Sequence, residues 1–487
     1  MLTGTLITCA GFIPVAFSKG MAAEFCASLF PVIAAALLLS WIVSVMVAPL
    51  LGYHIIRIEP KRDEKGEALL HQGRFYRVFR RVLEAFLAHR RLVLGATALV
   101  FAASIALLGA CRQDFFPPSL RPEIIVEMHL AEGSSMKNTD GEAKRFAAFL
   151  DSLADEYRNY SVYVGEGAPR FVLTFEPVLA ADNYAQFVIV ANDKESREDL
   201  TAKIRKELSE NFPNVRANLK FIQTGPPAAY PIMLRVEGED KEKVMSLANE
   251  VADLVASDAN TRDVNLDWQE KSKVLHLALD QDKLKALGLS TQMVQQMLYT
   301  ELAGVKAAEL YEGDRTVDIV LRLREEARDD LSRLEELPIY LPQAGYVPLA
   351  QVAKISYDAE NGIIWRRDLK PAVTVRADII AGTPTDAAKK AYAATKELRE
   401  NLPAGYAIEP DGSLADSEDS MKYLLVPVPA MIFLIMTLLI FQVREGRAML
   451  ITLLTAPLGI IGVACGMFLT GEPIGFVADL GILALSG

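Results

Sequence analysis

The chain is poor in the residues that build disulfide frameworks, metal knuckles and nucleic-acid-binding surfaces. Its 487 residues include only four cysteines and five histidines, and no two cysteines form a CxxC pair. This spacing excludes a disulfide framework and a zinc knuckle. The formal net charge is −11, so the chain lacks the basic footprint of a nucleic-acid-binding protein. It also lacks a nucleophile elbow and a phosphate-binding loop, which argues against an enzyme.

Charge is also absent from four long stretches, although charged residues make up 23% of the chain. Uncharged apolar runs occupy residues 25–51, 92–108, 423–441 and 448–469. Each is long enough to cross a hydrocarbon layer of about 30 Å, and each therefore predicts a membrane-spanning helix. Apolar runs at 2–17 and 474–487 predict two further helices that are incomplete.

The loop 52–91 indicates the orientation of these helices. It carries ten lysines and arginines against five acids. The positive-inside rule places such a loop in the cytoplasm, which puts residues 112–420 on the outside. Within it, the segment 74–89 is basic and amphipathic, and it predicts a helix that lies flat on the inner leaflet.

Residues 112–420 alternate between short β-strand patterns and amphipathic helix patterns. Four strand–helix–strand units start near residues 124, 186, 232 and 372, and we expect them to pair into two βαβ sandwiches. Residues 273–358 interrupt the second pair and predict a separate α+β subdomain. Asn138 or Thr139, and Ser196, are the predicted N-caps of the first two helices.

Four segments stand out as motifs: 4–14 (GTLITCAGFIP), 114–123 (DFFPPSLRPE), 165–171 (GEGAPRF) and 481–487 (GILALSG). Together they resemble segments of the resistance-nodulation-division (RND) transporters. The resemblance covers essentially the whole chain. It implies a membrane protein with a partial α-helical transmembrane bundle and α+β periplasmic domains.

By this resemblance the spans are helices five to ten of twelve. Residues 1–51 and 92–111 hold helices five to seven, 52–91 are a cytoplasmic loop, and 421–487 hold helices eight to ten. The porter subdomains are 112–228 and 229–272 with 359–415, and the inserted docking subdomain is 273–358. The hydrophobe and amphiphile branch fits best. It implies an inner-membrane homotrimer driven by the proton motive force, without a cofactor, that works with a periplasmic adaptor and an outer-membrane channel.

The resemblance also places a large, soft, aromatic-rich substrate cleft in the porter subdomains. The predicted lining residues are Ile125, Glu127, His129, Tyr163, Phe171, Phe175, Phe187 and Phe221. Aromatic residues on an alternating strand can equally be core residues, and this alternative stays open for Tyr163, Phe187 and Phe221. Phe171 is favoured because it follows a Gly- and Pro-containing loop.

The proton relay of the family, an Asp pair facing a basic residue, is expected outside residues 1–487. Asp479 is the one ionisable residue within a predicted span, and it is only a weak relay candidate. His129 with Met128 and Met136 could suggest a soft-metal site, but a third placed ligand is missing.

Three functions remain open from the sequence. The first is proton-driven export of amphiphilic or hydrophobic compounds, to which this chain contributes half of a substrate cleft. The second is heavy-metal efflux by a sister branch. The third is a remnant or divided subunit that binds without transporting.

Overall fold

The computed structural model describes residues 2–55, 74–116, 119–328, 330–471 and 473–485. Residues 56–73 of the basic loop predicted to be cytoplasmic, 52–91, lie outside these described residues. The same holds for 117–118 and 486–487, which belong to two of the segments that carry the RND resemblance.

The chain begins with apolar helices. They are α1 (Leu2–Gly11), α2 (Ile13–Phe17), α3 (Met21–Phe25), α4 (Leu29–Ile55), α5 (Arg74–Ala88) and α6 (Arg90–Ala110). Helix α5 differs from the others because its arginines interleave with exposed phenylalanines, as predicted for 74–89. Four described helical segments are long and apolar enough to cross a membrane: Ala23–Ile55, Arg90–Ala110, Gly412–Val443 and Gly446–Thr470. These contain the four uncharged runs of the sequence.

A first βαβ sandwich follows. Its elements are β1 (Glu123–Leu130), α7 (Met136–Asp151), β2 (Tyr157–Val164), β3 (Tyr184–Ala191), α8 (Lys194–Asn211) and β4 (Val215–Phe221). The strands form one antiparallel sheet in the order β2-β3-β1-β4. Because side chains alternate across a strand, one face packs on the two helices and the other is left for a different partner. The helix-side core includes Ile124, Val126, Phe146 and Leu200.

The predicted N-caps are wrong, by three or four residues for α7 and by three for α8. The Ser135 side chain caps α7 by accepting from the backbone N–H of Asn138, and Asp193 caps α8 by accepting from that of Ser196. Each helix therefore starts earlier than predicted. A serine or aspartate three residues upstream satisfies the free N–H groups first.

The second sandwich begins with β5 (Ile232–Glu237), α9 (Lys241–Ala256) and β6 (Thr261–Leu266). An insertion follows. Besides a 3-10 helix at Leu331–Glu336, it contains β7 (Lys271–Leu279), α10 (Gln281–Ala286), α11 (Thr291–Leu302), β8 (Val305–Glu312), β9 (Arg315–Leu321), α12 (Glu325–Arg328), β10 (Pro338–Tyr340), β11 (Tyr346–Pro348), α13 (Leu349–Val352) and β12 (Ala353–Asn361). The sandwich then resumes with β13 (Arg366–Arg367), β14 (Lys370–Ile379), α14 (Pro384–Ala394), α15 (Lys396–Glu400) and β15 (Ala407–Pro410).

The second sheet repeats the topology of the first. Strand β5 pairs with β14 and β15, and β6 pairs with the outer side of β14, which gives the order β6-β14-β5-β15. The helix-side core is built around Ile232, Leu234 and Val236. The insertion follows β6, and at the corresponding position the first sandwich has only the loop between β2 and β3.

The described chain divides into two compact units. The larger holds both sandwiches and the apolar helices, and the smaller holds Ala131–Gly133 and Gln269–Ile363. The predicted insertion, 273–358, lies inside the smaller unit. That unit has its own core, which includes Leu284, Val294, Ile339 and Leu349.

The larger unit ends in apolar helices that follow the second sandwich. They are α16 (Gly412–Leu425), α17 (Val428–Val443), α18 (Gly446–Thr455), α19 (Gly459–Thr470) and α20 (Phe476–Leu485). Near the first turn of α16, Asp411 bonds to β5 through its backbone N–H and the carbonyl of Met233. The membrane helices are thereby joined directly to the second sheet.

Candidate functional site

Strand β1 directs three predicted site residues to one face of the first sheet. Ile124, Val126 and Met128 are fully buried on the helix side. Their alternates, Ile125, Glu127 and His129, point to the opposite face and line a cavity of about 180 Å³. The two-residue period of a strand is sufficient to explain this separation.

The carboxylate of Glu127 is the centre of a buried polar network. The Lys220 ammonium on β4 lies 2.6 Å from its Oε1. Asn218 donates to Oε2 at 3.2 Å, and Tyr184 and Gln186 each donate to Oε1 at 3.3 Å. Neighbouring strands supply all four partners, because the register sets Gln186 and Asn218 directly opposite Glu127.

This network keeps Glu127 ionised. Burial favours the neutral acid, but the charge and hydrogen bond of Lys220, together with Asn218, outweigh it and hold the pKa of Glu127 below its ordinary value. Burial raises the pKa of the Tyr184 hydroxyl, and the Glu127 charge raises it further. Tyr184 therefore remains a neutral donor.

His129 stays neutral for a different reason. Burial disfavours its charged form, and the nearby Arg216 opposes protonation, so its pKa falls to about 4. Its ring lies 4.9 Å from that of Tyr184, measured between centroids. At neutral pH the cavity-facing side of β1 thus presents an anionic carboxylate and an uncharged imidazole.

The second sandwich closes the cavity with Tyr230 and Arg376. The Tyr230 hydroxyl donates to Asp263 at 3.2 Å, and the Arg376 guanidinium lies 5.1 Å from the Tyr230 ring centroid. Arg376 also donates to the side chain of Asn265 at 3.0 Å. These contacts hold the wall of the second sandwich in place.

The loop between β2 and β3 forms another wall. It starts at Gly165, whose φ of +83° lies in the region that favours glycine. Backbone bonds from Gly165 to Tyr184 and from Ala181 to Gly165 close the loop on the sheet edge. The loop residues Thr174, Phe175, Glu176, Pro177 and Val178 line the cavity.

The structure brings five of the eight predicted residues to the cavity: Ile125, Glu127, His129, Phe175 and Phe221. Tyr163 packs in a small cluster with Ile125 and Phe175. Phe171 is 46% exposed on the loop, and its ring lies 4.9 Å from that of Phe175. Whether these residues bind a substrate stays a prediction.

Phe187 is corrected to a core residue. It is fully buried on the helix side and meets Phe146 edge-to-face, with ring centroids 4.8 Å apart. Its register partner on β1 is Val126, which belongs to the same core. The alternation along β3 already contained this signal, since Phe187 is in phase with Ala185 and Ile189.

The soft-metal combination of His129, Met128 and Met136 is also wrong, because Met128 points into the helix-side core, away from His129. Asp479 lies in the first turn of α20, and no ion pair to it forms among the described residues. Its role in a proton relay stays a prediction.

Sequence reasoning missed the cationic and amide partners of Glu127. Arg216, Asn218 and Lys220 alternate along β4 and face the cavity side, so the period-two pattern singles them out once β4 is paired with β1. Tyr230 and Arg376 could not be found this way, because they come from the other sandwich.

Over its full length, residues 1–487, the chain matches the model of the AcrB/AcrD/AcrF family. The chain belongs to this family. The match confirms the resemblance to RND efflux transporters and the class of fold, and it identifies a transporter family rather than an enzyme family.

Three similar proteins have names that refer to metals. The cobalt-zinc-cadmium resistance protein CzcA of Cupriavidus metallidurans is 22% identical over 500 residues, which cover 100% of this chain and 46% of that protein. The nickel and cobalt resistance protein CnrA of the same organism is 26% identical over 348 residues, covering 67% of this chain and 32% of that protein. A solved heavy-metal efflux pump superposes with a TM-score of 0.76 at 17% identity, covering 100% of this chain and 49% of that one.

The chain thus spans about half the length of these proteins or less. Their names do not support the finer expectation of a hydrophobe and amphiphile exporter. They agree better with the alternative, heavy-metal efflux.

Proposed function

We propose that the chain supplies the periplasmic cargo cavity of an inner-membrane RND pump that exports divalent metal cations, with Glu127 and His129 as cargo ligands. The observation that carries the proposal is that both residues lie on one face of β1 and line the same cavity, each in the protonation state that a metal ligand needs. Glu127 is held anionic and His129 is held neutral. A carboxylate oxygen and an unprotonated imidazole nitrogen are the donors that such cations accept.

The size of the cavity supports a small cargo. Its volume of about 180 Å³ is below the roughly 300–1,000 Å³ typical of sites for drug-sized ligands. Three aromatic residues, Phe175, Phe221 and Tyr230, line it together with four charged residues, Glu127, Glu176, Lys220 and Arg376.

Lys220 has a specific part in this proposal. A buried carboxylate without a counter-ion is costly, so Lys220 neutralises Glu127 while no cargo is bound. Its side chain is 28% exposed, compared with 7% for Glu127. The ammonium can therefore swing to solvent when a divalent cation arrives and replaces it.

The remaining parts of the proposal extend the resemblance to RND transporters to the whole pump. The whole pump is a homotrimer driven by the proton motive force, and it passes cargo to a periplasmic adaptor and an outer-membrane channel.

The proposal is tested by metal tolerance of cells that depend on the full-length transporter. We expect Glu127→Gln and His129→Gln each to lower export of Zn²⁺, Co²⁺ or Ni²⁺ at least tenfold. Glu166→Gln, which changes an exposed carboxylate on the neighbouring loop, is the matched control and should keep export. Unchanged metal export in both cavity variants would rule out this assignment.

Amphiphile export is the second candidate, and one observation favours it. Phe171 and Leu173 on the cavity loop are 46% and 69% exposed. Exposed apolar side chains beside a cavity suit an apolar cargo. In the same cells, export of several amphiphiles that falls in Phe171→Ala while metal export persists would favour this candidate instead.

A further inference from the structure

The two-stranded ribbon of β7 and β12 carries a cluster of polar side chains on its solvent face. In its register His276 pairs with Ser356, Val274 with Asp358 and Ser272 with Glu360. His276, Asp358 and Glu360 therefore share one face. Leu277, Leu279 and Ile355 occupy the other face and pack against the core of the smaller unit.

The three side chains converge on a small volume. Nε2 of His276 lies 3.1 Å from Oε1 of Glu360 and 3.8 Å from Oδ2 of Asp358. One ligand atom from each residue falls within 4.8 Å of the others. Bonds of about 2.0–2.2 Å from one metal ion to nitrogen and oxygen put neighbouring ligand atoms roughly 3–3.5 Å apart. Small side-chain rotations therefore suffice to bring all three onto one ion.

Charge at this site calls for a cation. Two carboxylates face a single imidazole, and no lysine or arginine in the described residues forms an ion pair with either of them. Lys271 and Lys273 lie on the opposite face of the ribbon, because they are out of phase with Ser272 and Val274. Lys354, opposite Ala278, shares the face of His276, but its ammonium forms no ion pair with either carboxylate among the described residues. The backbone N–H of Ala359 donates to Oδ1 of Asp358 at 2.8 Å, which leaves Oδ2 towards the imidazole.

We propose that His276, Asp358 and Glu360 form a binding site for a divalent transition-metal ion such as Zn²⁺, Co²⁺ or Ni²⁺. One imidazole with two carboxylates suits these ions, whereas Mg²⁺ and Ca²⁺ favour all-oxygen sites. The three side chains are 49%, 66% and 57% exposed. Water can complete the coordination, so the ion exchanges readily with solvent.

This site is separate from the proposed cargo cavity. All three ligands belong to the smaller unit, while Glu127 and His129 belong to the larger one. Because β7 and β12 are joined by the bound ion as well as by their hydrogen bonds, occupancy should also stabilise the smaller unit. The proposal does not depend on what the pump exports.

Titration of the full purified chain in detergent with Co²⁺ tests the site, followed by calorimetry and by the visible absorption of the bound ion. We expect His276→Ala to remove one equivalent of Co²⁺ per chain, and Asp358→Asn with Glu360→Gln to weaken it at least tenfold. His89→Ala removes another exposed histidine and is the matched control. All these side chains are exposed, so the variants should fold, and circular dichroism checks this.

Two outcomes would overturn the proposal. One is a His276→Ala chain that binds Co²⁺ with the stoichiometry of the unchanged chain. The other is an Asp358→Asn, Glu360→Gln double variant that binds Co²⁺ as tightly as the unchanged chain. His276 would then be the only one of the three proposed ligands to contribute to binding. The same titration on Glu127→Gln with His129→Gln reports the cavity separately, so loss of one site cannot be mistaken for loss of the other.

Discussion

The two βαβ sandwiches share a topology but place opposite charges at corresponding positions. On the first strand of the first sandwich, the central side chain of the face away from the helices is Glu127. On the first strand of the second it is Arg235, ion-paired with Glu409 at 2.8 Å, Asp411 at 3.2 Å and Glu237 at 3.5 Å. In the first sheet hydrogen-bond donors surround the carboxylate of Glu127, and in the second sheet carboxylates surround the guanidinium of Arg235.

The surroundings of these two centres differ in exposure. The acids around Arg235 are 24–53% exposed, and one of them, Asp411, immediately precedes α16. Glu127 and its ion-pair partner Lys220 line a cavity instead. An isolated buried charge is costly, so both centres keep counter-charges in contact. Under the proposed function, Arg235 has a structural role and Glu127 a binding role.

The largest loss of stability is expected when Lys220, the cation paired with Glu127, is replaced. Lys220→Met leaves the Glu127 carboxylate buried and unpaired, and we expect a loss of about 3 kcal/mol in local stability. Amide hydrogen exchange of β1 and β4 measures this loss. In the double variant with Glu127→Gln most of the stability should return. A single variant as stable as the unchanged chain would show that the pair is not buried in solution.

The second effect comes from pH. The pKa of His129 lies near 4 in the folded chain and near 6.5 when unfolded. The unfolded state therefore binds more protons between these values, and stability falls as pH is lowered from 7 to 5, by on the order of 2 kcal/mol. Hydrogen exchange of β1 at the two pH values tests this. His129→Gln should remove that part of the pH dependence, whereas an unaltered dependence would contradict it.

A smaller effect is expected at the second centre. Arg235→Met leaves three acids that water can reach, so we expect a loss of about 1 kcal/mol, measured by exchange of β5 amides. A loss equal to that of Lys220→Met would mean that the two centres are equally buried. The contrast drawn between them would then fail.

The smallest effect is expected for Phe171→Ala. Its ring is nearly half exposed, so stability should change by less than about 0.5 kcal/mol. Metal binding should also stay unchanged under the proposed function. A variant that destabilises the loop strongly would show that the ring is a packing residue.

Much of the fold could be predicted from local patterns. The uncharged runs locate the membrane helices, and the period-two alternation separates Glu127 and His129 from the core side of β1. Applied to β3, the same rule would have assigned Phe187 to the core. The N-caps were missed because two candidate residues lay within one helical turn of each other.

The contacts that define the sites depend on strand register. Glu127 and Lys220 are 93 positions apart, and His276 and Glu360 are 84 apart. Only the pairing of β1 with β4 and of β7 with β12 brings them together. The cargo is equally hard to predict from the sequence, because aromatic residues on strands can belong either to a core or to a binding cleft.

The account is tested most directly by the Co²⁺ stoichiometry of the full chain in which His276 is already replaced by alanine. We predict that one equivalent of Co²⁺ remains and is lost when Glu127→Gln and His129→Gln are added. If the chain retains this equivalent after both cavity substitutions, or never binds it, the cavity on β1 is not a metal cargo site.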